Sequence, residues 1–220
     1  MYKKLLPTEY DSIFENSINI DSEMLLSLNF NSIKKGNYNV GIFHNEKLLI
    51  KFFKTEKYNK NVAYIDYKLL KKLNKLDIEA PKLYGYQPNG FMVAEYIHGT
   101  TVSEIKDLNY NLLKNLIDQL LLLQYQIFIS TNYIVCDLTS GNIIYNGKFT
   151  VIDYSCVAIF SSANYARKYA VFEVKNLLEK LLLDNRIDEA IHKECNDYIT
   201  RLHANGYFRK WVNHSSDKHR

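Results

Sequence analysis

Three oxygen-bearing side chains, Asp137, Asn142 and Asp153, are spaced so that one short hairpin would gather them. Residues 142–153 are two apolar runs joined by Asn146-Gly147, a strong signal for a two-residue turn. With that turn Tyr145 pairs with Lys148 and Asn142 with Val151. Because strand side chains alternate with period two, Asp153 then shares a face with Val151 and Asn142. An amide oxygen and a carboxylate converge at the open end of the hairpin. Across a diagonal of about 7–8 Å between backbones, both reach one hard cation. Asp137 lies five residues before Asn142 and arrives at the same end from the loop. Taken singly, Asp137 and Asn142 are ordinary turn formers; their convergence with Asp153 makes them candidates for chemistry. A fourth candidate is Lys51, a lone charge in the apolar run 47–53, which by itself reads equally well as an edge-strand charge.

The pattern Asp-x-x-x-x-Asn, an apolar hairpin and then Ile152-Asp153-Tyr154 resembles the catalytic and metal-binding segments of the protein-kinase superfamily. Upstream, Leu49-Ile50-Lys51 looks like the strand lysine of that superfamily, and Asp66 stands where its ion-pairing acidic residue does. Met92-Val93-Ala94-Glu95-Tyr96-Ile97, followed by His98-Gly99, is similar to the hinge between kinase lobes. Four motifs in the right order over about residues 30–183 make the resemblance specific. It implies ATP and Mg2+ as cofactors. Lys51 would hold the α- and β-phosphates and Asp66 would fix Lys51; Asn142 and Asp153 would bind magnesium, and Asp137 would orient the attacking hydroxyl. Glu95 and Ile97 would meet adenine through backbone groups, Ala94 would be a small gatekeeper, and Gly36 would remain from the phosphate-covering loop.

The departures from the common pattern point to a pared-down member. Only Gly36 and Gly41 remain of the glycine loop, and a plain hairpin turn is the competing reading for Gly36. Asp66 is one methylene shorter than the usual glutamate. Val135 and Cys136 replace the histidine and arginine before the catalytic aspartate, Thr139 replaces a lysine, and Ser155 replaces a glycine. Without that arginine, a phosphorylated activation loop has no receptor. In these respects the chain is similar to small atypical kinases: the kinase subunit of the tRNA threonylcarbamoyl complex, kinase-like proteins of spore-formers, and secreted minimal kinases. The implied activity is phosphorylation of Ser or Thr hydroxyls on a protein partner, including autophosphorylation. Two rivals stand beside it: a small-molecule kinase of the aminoglycoside type, for which about 65 residues after Ser155 leave little substrate lobe, and a nucleotide-binding pseudokinase or ATPase subunit of a complex.

The elements that must position these residues are legible from periodicity. Short strands are expected at 32–35, 40–44, 47–53, 82–86 and 91–96, with one amphipathic helix over 58–75. Helices are expected over 109–129, 163–183 and 186–204. The expected fold class is α+β and bilobal, a five-stranded antiparallel N-lobe sheet with one helix and a reduced, mainly helical C-lobe. The expected division is an N-terminal extension over 1–29, a domain over 30–205 with lobes meeting at about 97–98, and a basic tail over 206–220. From Arg209 on, this tail reads as a solvated terminus or a contact for an acidic partner.

Composition sets outer limits. A net charge of +4, spread along the chain, argues against a nucleic-acid partner. The leucine-rich stretch 112–129 is broken by Lys114, Asp118, Gln119, Gln124 and Gln126, so no membrane span is expected. No secretion signal is readable at the amino terminus, although export without a cleavable signal stays open. Three cysteines, 20 and 39 residues apart, fit neither a disulfide framework nor a zinc site and suggest the cytoplasm. Cys136 and Cys156 read as small buried hydrophobes rather than nucleophiles.

Overall fold

The computed structural model describes residues 31–33, 39–53, 57–86 and 91–211, which fall into two compact units dividing after His98. Gly36, the extension 1–29 and residues 212–220 lie outside the described residues.

In the first unit, strands β1 (Asn31–Ile33), β2 (Asn39–His44), β3 (Leu48–Phe53), β4 (Leu83–Tyr86) and β5 (Phe91–Glu95) form an antiparallel sheet in the order β1-β2-β3-β5-β4. The β2–β3 turn is held by the Asn45 side chain, whose Oδ1 accepts from the N–H groups of Lys47 and Leu48 at 2.9 and 2.8 Å. That is the local bonding for which Asn is favoured in turns. One sheet face buries Phe43, Leu48, Ile50, Phe91 and Val93 together. Lys51, next to Ile50 in an alternating strand, emerges on the other face, and helix α1 (Lys57–Lys75) buries Asp66, Leu69, Leu70 and Leu73 at helical spacing.

Two interactions hold α1 to the sheet edge. Asn74 donates from Nδ2 to Pro81 O at 3.0 Å and accepts at Oδ1 from Leu83 N at 2.6 Å. About two turns earlier, the rings of Tyr67 and Tyr86 stack at 4.4 Å. These contacts set the helix rotation that turns Asp66 inward.

The second unit is mainly helical. Helix α2 (Tyr110–Thr131) is capped by the Asn109 side chain, which accepts from Leu112 N at 3.0 Å. It ends at Asn132 with φ 63°, a left-handed conformation that Asn tolerates. Its buried face carries Leu113, Leu116, Ile117, Leu120, Leu121, Ile127 and Phe128, and it packs against α3 (Ala163–Leu183) and α4 (Glu189–Ala204). Among the described residues, no helix is long and apolar enough to cross a membrane.

Short strands fill the space between helices. β6 (Thr100–Thr101), β8 (Ile143–Tyr145) and β9 (Phe149–Val151) make one small sheet, and β7 (Tyr133–Val135) pairs with β10 (Val157–Ile159). Sequence reading missed β6 and β10, whose two and three residues are too short to show a period. Gly99 precedes β6 with φ 150°, and a Cβ there would meet Ile144 Cγ2 and Tyr145 O at 2.5 Å, so the position admits no side chain.

Two expectations are corrected. In the β8–β9 hairpin Tyr145 pairs with Phe149 and Ile143 with Val151, so the loop has three residues, Asn146, Gly147 and Lys148, and the register is one residue from that of a two-residue turn. Tyr145 and Phe149 stand with ring centroids 4.7 Å apart, a cross-strand aromatic pair that favours this register. The second correction concerns the tail. Phe208 and Trp211 are buried, and Trp211 stacks on Phe128 at 5.8 Å, so the chain is not a solvated terminus from Arg209 to Trp211.

Candidate active site

The first unit supplies a buried ion pair. Lys51 Nζ donates to Asp66 Oδ2 at 3.0 Å, with both side chains under a tenth exposed. Such a pair survives burial only when geometry and hydrogen bonding are good, and it fixes a primary ammonium at a chosen spot on the helix-facing side of β3. The shorter aspartate is no obstacle, because Asn74 and the Tyr67–Tyr86 stack hold α1 against the sheet.

At the end of the same sheet, Glu95 is tied to the edge strand. Its N–H donates to Lys82 O at 2.8 Å, and its carboxylate Oε2 accepts from Lys82 N at 3.1 Å. Tyr96 N donates to Lys47 O at 2.9 Å. The ladder therefore uses the N–H groups of Glu95 and Tyr96, and an incoming base could meet Glu95 only through its carbonyl. Ile97 follows in non-strand backbone.

The second unit carries the acidic residues. Strand β7 delivers Asp137, which adopts φ 54°, an unusual conformation for a residue with a Cβ and one that clusters at functional sites. Its carbonyl accepts from Thr139 N at 2.7 Å, while its carboxylate side chain is 59% exposed. Residues Ser140–Asn142 form a 3-10 turn, pinned where Ser103 N donates to Ser140 O at 3.2 Å and Ile152 N donates to Asn142 O at 3.0 Å.

The register correction matters for Asn142. Continuing the observed pairing would set it opposite Ile152, so strand alternation alone would not give it a face in common with Asp153. The 3-10 turn, which takes Asn142 out of the strand, replaces alternation in setting its direction. Both residues still end at the open side of the hairpin, and Asp153 Oδ1 accepts from Ser155 N at 3.0 Å, an Asx-type turn that orients the carboxylate.

Asn142 and Asp153 offer hard oxygen donors. Among the described residues no group of three or more His, Cys, Asp and Glu side chains could cage a metal. Two protein oxygens fit magnesium, which is bound through one or two side chains while phosphates and water complete the octahedron.

Three supporting side chains escaped sequence reading. Gln124 of α2 grips Val135, with Nε2 donating to its O at 2.7 Å and Oε1 accepting from its N at 2.9 Å. Gln119 accepts from Phe149 N at 2.9 Å and so holds the start of β9. Both had registered only as polar breaks in a leucine-rich run. Lys180 from the last turn of α3 lies 3.8 Å from Asp137 Oδ1, 43 residues away in sequence. With both partners about half exposed, the pair contributes about 0–1 kcal/mol. Lys180→Ala is therefore expected to leave urea unfolding within about 0.5 kcal/mol of the native protein, so any loss of turnover in that variant reads a role at Asp137 rather than a folding defect.

An antiparallel five-stranded sheet with one helix ion-paired to its central strand, together with a helical unit bearing the Asp137 loop and the hairpin, defines a protein-kinase-like fold. A solved structure of WbdD at 2.2 Å shares it with a TM-score of 0.52 and 17% identity, covering 67% of this chain and 37% of that one. A second, the bifunctional kinase-methyltransferase WbdD, gives 0.48 and 19%, over 62% of this chain and 34% of that one. This chain thus spans little more than a third of those proteins, and the likeness shows the fold alone. The RIO domain model matches residues 27–181 of 220, so the chain belongs to the RIO domain family, which is atypical and kinase-like. No curated protein sequence matches it significantly.

Proposed function

We propose that the chain is a magnesium-dependent serine/threonine protein kinase that also phosphorylates itself. The observation that carries this reading is the buried Lys51–Asp66 pair at 3.0 Å, because a desolvated, hydrogen-bonded lysine on a sheet strand is suited to a phosphate clamp and costs stability in most other roles. In this reading Lys51 grips the α- and β-phosphates, Asp66 fixes its ammonium, and Asn142 and Asp153 hold the magnesium. Magnesium, when bound, supplies neutralisation of the phosphate charge. Asp137 accepts a hydrogen bond from the substrate hydroxyl and sets its line of attack. The adenine lies against the Glu95 carbonyl and Ile97, with Ala94 behind it and Gly36 contributing to the phosphate cover.

The catalytic domain is proposed to begin at about residue 30, after an extension over 1–29, with the division between its lobes at 97–98, and to include the segment to Trp211 that packs on Phe128. Substrates are proteins presenting Ser or Thr hydroxyls, in the cytoplasm.

The test is transfer from γ-labelled ATP with magnesium by the native chain, Asp137→Ala and Asp153→Ala, to itself and to a generic basic protein. Label on serine or threonine is expected in the native chain, falling about 10²–10⁴-fold in each variant. Absence of label while magnesium and ATP still raise the melting temperature would overturn protein phosphorylation, leaving small-molecule transfer or a nucleotide-binding scaffold.

A further inference from the structure

The strands that carry Asp137 and follow Asp153 also place two thiols face to face, a pairing the phosphoryl-transfer reading does not use. In the β7–β10 pair Val135 stands opposite Val157, which sets Cys136 opposite Cys156. Phe160 N donates to Asn132 O and Cys136 N to Cys156 O, both at 2.9 Å. These two bonds lie four residues apart on each strand, so by the antiparallel alternation Cys136 and Cys156 occupy a hydrogen-bonded pair with Cα atoms about 5.5 Å apart. That separation lies inside the disulfide window of roughly 4.4–6.8 Å. Directly opposed side chains share a face, so the two thiols stand on the same side of the β7–β10 pair. Cys156 is exposed and Cys136 half-buried, so one thiol is open to a reagent and the other waits behind it.

We propose that Cys136 and Cys156 are a cross-strand disulfide site, closed by exchange with a small-molecule disulfide and tying the Asp137 loop to the segment after Asp153. Cys156 sulfur attacks one sulfur of the small disulfide, breaking its S–S bond and releasing one thiol. Cys136 sulfur then displaces the second half, so an internal S–S bond forms and a second thiol leaves. The protein loses two protons and two electrons, and the small disulfide is reduced to two thiols.

The surroundings set the pace and the durability of this exchange. Tyr169 and Glu173 of α3, with the carboxylates of Asp137 and Asp153, flank the pair. Burial is the largest cause pushing the Cys136 thiol up to about 12, and it raises Cys156 as well. Thiolates are therefore scarce at neutral pH and closure is slow, yet the reduced pair gains nothing from ionisation, so the closed form resists reduction.

The full chain, reduced and freed of reductant, is incubated with glutathione disulfide at about pH 8.5, where the thiolate fraction rises, then denatured and alkylated. The chain has three cysteines, and the expected product has one alkylatable thiol, Cys195, a mass lower by about 2 Da for the two lost hydrogens, and a linked peptide pair containing Cys136 and Cys156. Cys136→Ser should stop at a mixed disulfide on Cys156. Three alkylated thiols, a native chain halted at the mixed disulfide, or bonds only between chains would overturn the proposal, and the native chain decides even if the variant fails to fold.

Discussion

Asp66→Ala is expected to destabilise the first unit by about 3–5 kcal/mol, as measured by urea unfolding. The size follows from burial: Asp66 is 1% exposed, Lys51 Nζ lies 3.0 Å from its carboxylate, and removing the anion leaves an ammonium out of water without its counter-charge. Exposed ion pairs contribute little because water screens them, and this pair has little water to do so. A paired substitution separates stability from chemistry. Lys51→Met with Asp66→Leu replaces two buried charges by apolar side chains and is expected to recover most of the lost stability, since well-packed apolar replacements of buried pairs are often neutral or better. It should nonetheless fail to bind nucleotide with the native affinity, because the phosphate clamp is gone. A cost below about 1 kcal/mol for Asp66→Ala would contradict the buried geometry, and native nucleotide affinity in the double variant would remove Lys51 from the proposed site.

Gln124→Leu is expected to cost about 2–5 kcal/mol, from two buried backbone groups each worth about 1–3 kcal/mol when left unpaired. Val135 stands in the non-hydrogen-bonded position opposite Val157, so its N–H and C=O point away from β10. The Gln124 amide meets both, at 2.9 and 2.7 Å, and serves as a third strand one residue long. Leucine fills a similar volume but offers neither donor nor acceptor. Gln124→Glu should cost at least as much, because it buries a carboxylate and sets one of its oxygens against the Val135 carbonyl. Since Val135 stands two residues before Asp137, turnover of the folded fraction is expected to drop as well. Urea unfolding read beside transfer activity checks both; a Gln124→Leu protein of native stability would show that Val135 finds other partners.

Much of the architecture was written in local pattern. The leucine spacing of α1 and α2, the Asn109 cap, the apolar runs of β3 and β5 and the single charge at Lys51 act over a few residues, where side-chain period and turn chemistry dominate. The pairing of Asp66 with Lys51 follows from the resemblance to the kinase superfamily, and the fold sets the two 3.0 Å apart. Spacing brings Asp137, Asn142 and Asp153 to one end of the hairpin, but the face of Asn142 depends on the 3-10 turn and not on strand alternation.

What tertiary structure decided is whatever depended on a partner remote in the chain. Asn146-Gly147 favours a two-residue turn locally, but Tyr145 against Phe149 and the Gln119 bond to Phe149 N sit with a three-residue loop and a register shifted by one. Gln119 and Gln124 interrupt an apolar helix on paper; in the fold each finds a strand N–H with no partner in its own sheet. Lys180 meets Asp137, and Cys136 faces Cys156, only after α3 and β10 have packed against β7. Sequence carries the period of each element, because that is a property of neighbouring residues. Register, and the bonds that reach between elements, follow from which buried polar group is satisfied when the elements meet.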